Sequence, residues 1–551
     1  MKQEKKTNFI MQAGILAAAG IIVRIIGILY RSPLVAIIGD EGNGYYSKAY
    51  NIYTIILLVA SYSIPSALSK VMAAKIGMGQ YKNAHKLFKG ALIYVIIVGG
   101  LASLFCYFCA DSIVGHNSAT VLKVFSPTIF LSGLLGCLRG YFQAQKSMLE
   151  TSVSQILEQI LNAIVSIMGA YLLIASVAGS SDTTKAVYGA IGSAIGTGSG
   201  VLIALLLMFA IYLSRRKNIR ENILSDTTED LLSGKEVARI LLSMVTPIIL
   251  STCIYNLSTV SNLKIYEAIS QKVFHMDEAT SSTLYGLFSG KAVQIINIPV
   301  AIATAMSAAI IPVISSTYER REYDDTKAKI TEAIKTTMLI AIPAAAGLFV
   351  LSRPVTLLLY PQAASVDTVS SLIKVLSITV VFYCLSTLSN GILQGTGFVN
   401  RPVVNAAISL IVQAAFLTCT LLFTDLGLYA LCGANIVYSL LMCISNSLSM
   451  RKTLSYKQEI RRTFVLPAIA AVIMGLAAFV IYFGIEKLLT SVLSVSINWW
   501  SNAFLLMADV IISVLIYFVA ILKLKAVDSN DLLSLPKGRS LVSLCKKLHL
   551  L

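Results

Sequence analysis

Apolar runs of about twenty residues, broken by short polar stretches, recur along the whole chain and predict fourteen membrane-crossing helices. They fall near 9–30, 50–74, 87–110, 119–143, 151–176, 187–213, 237–262, 284–312, 331–351, 371–395, 402–423, 427–450, 463–484 and 498–522. The ten-residue alternation of a membrane-spanning barrel does not appear. The expected fold class is an all-α polytopic membrane protein.

Composition agrees with that pattern. The 551 residues are 56% hydrophobic and 13% charged, with a mean hydropathy of +0.78, too apolar for a soluble chain of this size. The basic start, Met1 to Lys6, precedes an apolar run too long for a signal peptide and without a small-x-small cleavage site, so a retained first helix is expected. The nine cysteines are scattered, mostly in apolar segments, and Cys106 with Cys109 has no second pair to complete a zinc site. They read as small buried hydrophobes.

The net charge of +17 changes the picture through its placement. Most of the 44 Lys and Arg lie in the tails and in alternate loops, chiefly Lys70 to Lys89, Arg215 to Arg239, Arg320 to Lys335 and Arg451 to Arg462. Such a distribution argues against nucleic acid as a partner. The positive-inside rule places both termini in the cytoplasm and requires an even number of spans. Attraction to anionic lipid accounts for the rest of this charge.

Internal repetition is visible at two offsets. A shift of 251 residues sets Lys123, Ser126, Thr128, Gly140 and Gln143 on Lys374, Ser377, Thr379, Gly391 and Gln394. A shift of 247 sets Ile64, Pro65 and Ser69 on Ile311, Pro312 and Ser316. Each spans six helices, which keeps orientation, so the expectation is two parallel six-helix lobes, 1–225 and 226–455, followed by two more helices and a cytoplasmic tail, 456–551. Pro65, Pro299, Pro312 and Pro343 interrupt helices either as bending points or as static kinks. Gly192, Gly196 and Gly200, four residues apart, predict close helix contact.

No P-loop and no paired-histidine zinc motif is present, and all four histidines fall in loops or tails, so neither an enzyme nor a cofactor is expected. The chemistry rests on ionisable groups in or beside helices: Arg24, Arg31, Arg139, Glu158, Lys264, Glu267, Lys291, Lys374 and Asp509. A charge at helix centre costs roughly 2.5–3.5 kcal/mol on insertion scales, so each either snorkels, pairs, or lines a path for a charged ligand. Arg24 is hardest to dismiss, standing a turn and a half inside its helix. Arg139 and Glu158 suit a structural pair, with a coupling-ion site as the alternative for Glu158. Lys291 would add a cation from the second lobe, and Arg31, Lys374 and Asp509 need be no more than snorkelling or paired groups. Facing cations in a wet cleft would suit a phosphate-bearing substrate, since guanidinium binds phosphate oxygens bidentately.

With those residues in view, the chain resembles the polysaccharide-biosynthesis and stage V sporulation protein B branch of the multidrug/oligosaccharidyl-lipid/polysaccharide exporter superfamily, relatives of the lipid II flippase MurJ. The stretches "RIIGILYRSPLVAIIGDEGNGYYSKAYNIYT" and "LRGYFQAQKSMLETSVSQILEQ" carry the resemblance. It implies two six-helix lobes around a cavity lined by essential arginines, with the last two helices forming a groove for a polyprenyl tail. Arg24 matches the first such arginine, Arg31 the next with a one-residue slip, and Lys291 falls near a third. The cation that MurJ-like proteins carry in the second helix has no match in Tyr53 to Ser63.

The expected function is a flippase for an undecaprenyl-pyrophosphate-linked saccharide, with Arg24, Arg31, Arg139 and Lys291 as substrate-binding residues. Its expected partners are that lipid, the bilayer of the cytoplasmic membrane and a coupling cation; peptidoglycan or spore-envelope synthesis is the implied setting. Two alternatives stand beside it: a cation-coupled multidrug exporter of the same superfamily, and a non-transporting scaffold for envelope synthesis.

Overall fold

A computed structural model of the chain describes the backbone of residues 2–58, 60, 64–145, 147–491, 498–528, 542, 543, 545 and 547, with side chains from Ala19 onward apart from 21, 66, 244–255, 305, 308, 309, 312 and 363. Every regular element among the described residues is helical. The chain divides into two compact units, Met1–Gly286 and Leu287–Leu551.

The first unit opens with α1, Lys2–Leu57, where a loop is expected between residues 30 and 50. Only Gly39 leaves helical geometry, at φ 70° and ψ 179°, a conformation that glycine adopts without steric penalty. Beyond it, Tyr46, Tyr50 and Tyr53 recur at helical spacing and gather around Phe125, with ring centroids 5.5, 5.9 and 4.7 Å from it. This aromatic face explains why the segment is helix rather than loop. There follow α2 (Ile64–Gly77), α3 (Tyr81–Tyr94), α4 (Gly100–Phe108), α5 (Ala110–Val114), α6 (His116–Ala144), α7 (Leu149–Ser176), α8 (Asp182–Ser214), α9 (Arg216–Leu224), α10 (Gly234–Lys272) and α11 (Glu278–Gly286).

Helices α7 and α8 meet along the glycine stripe. A Cβ on Gly192 would strike the Gly169 and Ala170 backbone, one on Gly196 would strike Ser166, and one on Gly200 would come 2.5 Å from the Glu158 carbonyl oxygen. The Ser166 hydroxyl, donating at 3.0 Å to the Ser193 carbonyl, reinforces the contact.

The second unit begins with a π-helical turn, Leu287–Ala292, and continues through α12 (Val293–Glu319), α13 (Tyr323–Val350), α14 (Ser352–Leu359), α15 (Ala363–Gly395), α16 (Asn400–Phe423) and α17 (Leu428–Leu454). It ends in α18 (Leu466–Ser491) and α19 (Trp499–Lys523). Its interior holds an amide network. Asn405 donates to the Asn446 side-chain oxygen at 2.8 Å and to Ser449 at 3.0 Å, while Asn446 donates to Asn390 at 2.7 Å and to Ser389 at 3.1 Å.

Among the described residues, twelve helices are long and apolar enough to cross a membrane. The difference from fourteen has two sources. The expected second span, 50–74, is divided between the part of α1 beyond its break at Gly39 and the 14-residue α2, with 59 and 61–63 outside the described residues, and the expected span 237–262 lies in α10, where the side chains of 244–255 fall outside the described residues. The side chain of Pro312 lies outside them as well.

Candidate functional site

In the first unit the ionisable groups converge on α1, α6 and α7. Arg24 is exposed on α1, with no hydrogen bond or ion pair among the described residues. One turn further on, Gly27 gives room to Gln159 of α7, whose Nε2 would lie 3.2 Å from a Cβ placed there. Gln159 belongs to the Ser154-Gln155-x-x-Glu158-Gln159 pattern, so this motif seats α7 against the arginine-bearing helix. Arg31 is half-buried, its guanidinium carbon 6.0 Å from the Tyr50 ring centroid. Tyr50 also lies within electrostatic reach of Glu158.

Arg139 of α6 and Glu158 of α7 form an ion pair at 2.7 Å, and Arg139 Nε donates to the Ser154 hydroxyl at 2.9 Å. Both side chains remain partly exposed, at 14% and 28%. Arg139 therefore has its charge balanced, whereas Arg24 has no counter-charge among the described residues. Four residues on from Glu158, Asn162 donates to the Tyr30 hydroxyl at 3.4 Å and accepts from Ser166 at 2.9 Å.

A second charged cluster joins α1, α10 and α11. Lys48 is fully buried, 2.7 Å from Glu267 Oε1, and donates to the Ser282 hydroxyl at 2.8 Å. Glu267 Oε2 lies 3.3 Å from Lys264, whose ammonium also donates to the Ile113 carbonyl. Helix contact here is close enough to exclude side chains: a Cβ on Gly44 would strike the Ser282 backbone, and one on Gly286 would lie 2.5 Å from Gly44 Cα. Beside it, Tyr45 donates to Glu41 at 2.9 Å and accepts from Asn117 at 3.1 Å.

In the second unit Lys291 is fully buried. Its ammonium donates to Gln362 Oε1 and to the Ser365 hydroxyl, each at 3.0 Å, and sits 5.3 Å from the Tyr360 ring centroid. Of the expected substrate-binding residues, then, Arg24, Arg31 and Arg139 belong to the first unit with Glu158, and Lys291 is enclosed within the second. Lys374 is exposed on α15. No group of three or more His, Cys, Asp or Glu suited to a metal occurs among the described residues.

A family model described as lipid II flippase MurJ matches residues 82–501. The chain belongs to the MurJ family. It is 26% identical over 492 residues to the lipid II flippase MurJ of Bacillus subtilis (strain 168), covering 84% of this chain and 86% of that one. It is 22% identical over 544 residues to stage V sporulation protein B of the same organism, covering 96% and 98%. Among solved structures, a lipid II flippase MurJ in an inward closed conformation superposes with a TM-score of 0.63 at 17% identity, covering 92% of this chain and 97% of that one. An inward-facing multidrug resistance MATE transporter of the MOP superfamily gives 0.66 at 17% identity, covering 80% and 98%. At these identities the structural likeness establishes the fold.

The MurJ family is one of membrane flippases, not enzymes, and handles lipid-linked precursors in the cytoplasmic membrane. In this MurJ-family chain the residue that pattern reading misses is Lys48. It falls between the expected helices 9–30 and 50–74, and the signal that finds it is the Tyr46, Tyr50 and Tyr53 spacing, which makes the segment helical and turns Lys48 toward α10 and α11.

Proposed function

We propose that the protein moves an undecaprenyl-pyrophosphate-linked saccharide, lipid II, from the inner to the outer leaflet of the cytoplasmic membrane, with both termini in the cytoplasm. The observation that carries this reading is Arg24, an exposed guanidinium on an apolar helix with no counter-charge among the described residues. A pyrophosphate would supply that counter-charge through bidentate hydrogen bonds. Arg31 would add a second cation, and the Arg139–Glu158 pair would hold α6 and α7 in place beside it. Lys291 would join the head group only on leaving Gln362 and Ser365.

An inside-negative potential drives an anion outward by ~2.3 kcal/mol per charge per 100 mV, so the potential suffices in principle without ATP. The expected lobes, 1–225 and 226–455, would rock to expose the head group on either side while the prenyl tail stays in lipid beside α18 and α19.

The test is complementation of a strain depleted of its lipid II flippase, alongside binding of undecaprenyl pyrophosphate to the purified chain. Rescue by the wild type and salt-sensitive binding are expected. Export of a cationic dye without rescue would replace this reading with that of a multidrug exporter.

A further inference from the structure

Helices α18 and α19 contribute no ionisable group to the site described above, yet α19 carries one deep in its span. Asn502, Asp509, Ser513 and Tyr517 are all buried and follow one another at seven-, four- and four-residue steps, which places them on one helix face. At one end the polar groups are satisfied: Asn502 accepts from the Tyr482 hydroxyl at 2.5 Å and donates to the Pro354 carbonyl at 3.1 Å. Further along they are not.

Asp509 is fully buried, near the middle of the 25-residue α19. The Ser513 hydroxyl reaches Oδ1 at 3.5 Å, while Oδ2 is enclosed with no hydrogen-bond partner, and no cation pairs with the group among the described residues. The Tyr517 hydroxyl is likewise buried without a partner. Apolar packing flanks Asp509 on both sides along the helix. One cluster comprises Leu351, Ala478, Tyr482, Leu505 and Leu506, and the other includes Ala470, Ala471, Met474, Tyr517 and Ile521.

The titratable groups around this face are few. On α18 they are Tyr482, which lies within electrostatic reach of Asp509, and Glu486; Arg353 of α14 also lies within reach of Tyr482; on α19 it is Tyr517, and the buried Cys545 packs in the same cluster as Tyr517. The α13 residues packed on the second cluster, Leu339, Ile342 and Ala346, carry no charge. A carboxylate enclosed at this depth with one long hydrogen bond, and no counter-ion among the described residues, has little to offset its desolvation. A divalent cation such as magnesium would bring several waters to one carboxylate, and the apolar clusters packed on both sides of Asp509 are a poor lining for a hydrated ion. A proton requires a single oxygen, and Oδ2 is that oxygen.

We propose that Asp509 is an intramembrane proton-binding site, occupied while α18 and α19 are packed as described and emptied only when water or another acceptor reaches Oδ2. The packing of these helices is thereby linked to proton uptake. This proposal is independent of the lipid substrate.

Infrared spectroscopy of the full-length protein in lipid nanodiscs at neutral pH tests it. The wild type should show a carbonyl stretch of a protonated carboxylic acid that shifts in heavy water and is absent from Asp509→Asn. Because an amide resembles the neutral acid in shape, that variant should keep wild-type thermal stability. A wild-type spectrum with no protonated-acid band that depends on Asp509, and a loss of carboxylate stretches in Asp509→Asn instead, means that the group is ionised and overturns the proposal. Should the asparagine variant fail to fold, Ser513→Ala and Asp509→Glu serve instead: each should move the same band, and a band that neither moves overturns the proposal equally.

Discussion

The two units hold cations in different company. In the first, Lys48 meets a carboxylate, Glu267, and Arg139 meets Glu158; in the second, Lys291 is held by the Gln362 amide, the Ser365 hydroxyl and the Tyr360 ring. The second unit also builds its interior polarity from neutral amides, Asn405, Asn446 and Asn390. Direct ion pairs fix helices through charges that are costly to separate. Neutral partners hold a cation with less penalty for letting it go. Within this contrast Arg24 is an exposed cation on an apolar helix with no ion pair among the described residues, and the proposed function assigns it the ligand.

The largest expected effect is on that guanidinium. Arg24→Ala should abolish rescue of a flippase-depleted strain while leaving membrane expression intact, and Arg24→Lys should retain part of the rescue, since a point charge keeps attraction but loses the bidentate fork. Full rescue by the alanine variant would reduce Arg24 to a lipid-facing cation and leave the first unit with framework charges alone.

Next comes the frame. Breaking a buried ion pair by removing one partner costs roughly 3–5 kcal/mol. Lys48→Met should therefore lower the thermal unfolding midpoint in detergent sharply, and adding Glu267→Gln should recover part of the loss because a carboxylate left with only the half-exposed Lys264 for a partner is neutralised. Strictly additive losses in the two variants would show that the pair contributes no coupling and that glycine-mediated packing of Gly44 and Gly286 holds this region alone.

These residues also show where sequence pattern was informative. The apolar periodicity located the helices because membrane spans must satisfy their backbone internally, and few alternatives exist. Four-residue glycine spacing on α8 was readable for a similar reason, since small residues at helical period have one common use. Arg24, Arg139 and Glu158 stood out because a charge inside an apolar run is conspicuous. Lys48 was hidden by the reverse condition: its surroundings, from Asp40 to Asn51, are polar enough to read as a loop, and its burial depends on α10 and α11, more than two hundred residues later. The contacts of Lys291 with Gln362 and Ser365 were equally out of reach, because neither residue carries a charge to mark it as a partner. Asp509 was visible as a charge, but its lack of a counter-ion is a property of packing.

A substitution of intermediate size tests the second unit. If Lys291 leaves its neutral partners to meet the head group, Lys291→Glu replaces attraction by repulsion. At an effective dielectric of about 20, charges ~4 Å apart interact by roughly 4 kcal/mol, so a screened fraction weakens undecaprenyl-pyrophosphate binding about tenfold or more. The residual binding should lose some of its salt sensitivity. Binding by Lys291→Glu equal to wild type would confine head-group recognition to the first unit and sharpen the contrast between the two.

The smallest expected effect concerns a carboxylate outside the membrane, where the first unit again uses charge to fix backbone. Asp226 accepts from the Thr228 amide at 2.7 Å and from the Lys82 amide at 2.6 Å, tying the segment after α9 to the start of α3; Asn83 and Lys86 extend the tie to the Asp230 and Leu232 carbonyls. Hydrogen bonds from Thr228 and from the Lys82 backbone hold the Asp226 carboxyl below its ordinary range. A depressed value in the folded state means that the tie is complete above the ordinary aspartate value of about 3.9 and is lost as pH falls through the folded value. Hydrogen exchange at the Lys82 and Thr228 amides should therefore be slow near neutral pH, and the protection should fall away on acidification. In Asp226→Asn, which keeps one acceptor oxygen and loses the charge, protection at neutral pH should be lower and should vary less with pH. Unaltered protection in that variant would mean that the Asn83 and Lys86 contacts hold the segment by themselves, and that the preference of the first unit for charged ties ends at the membrane surface.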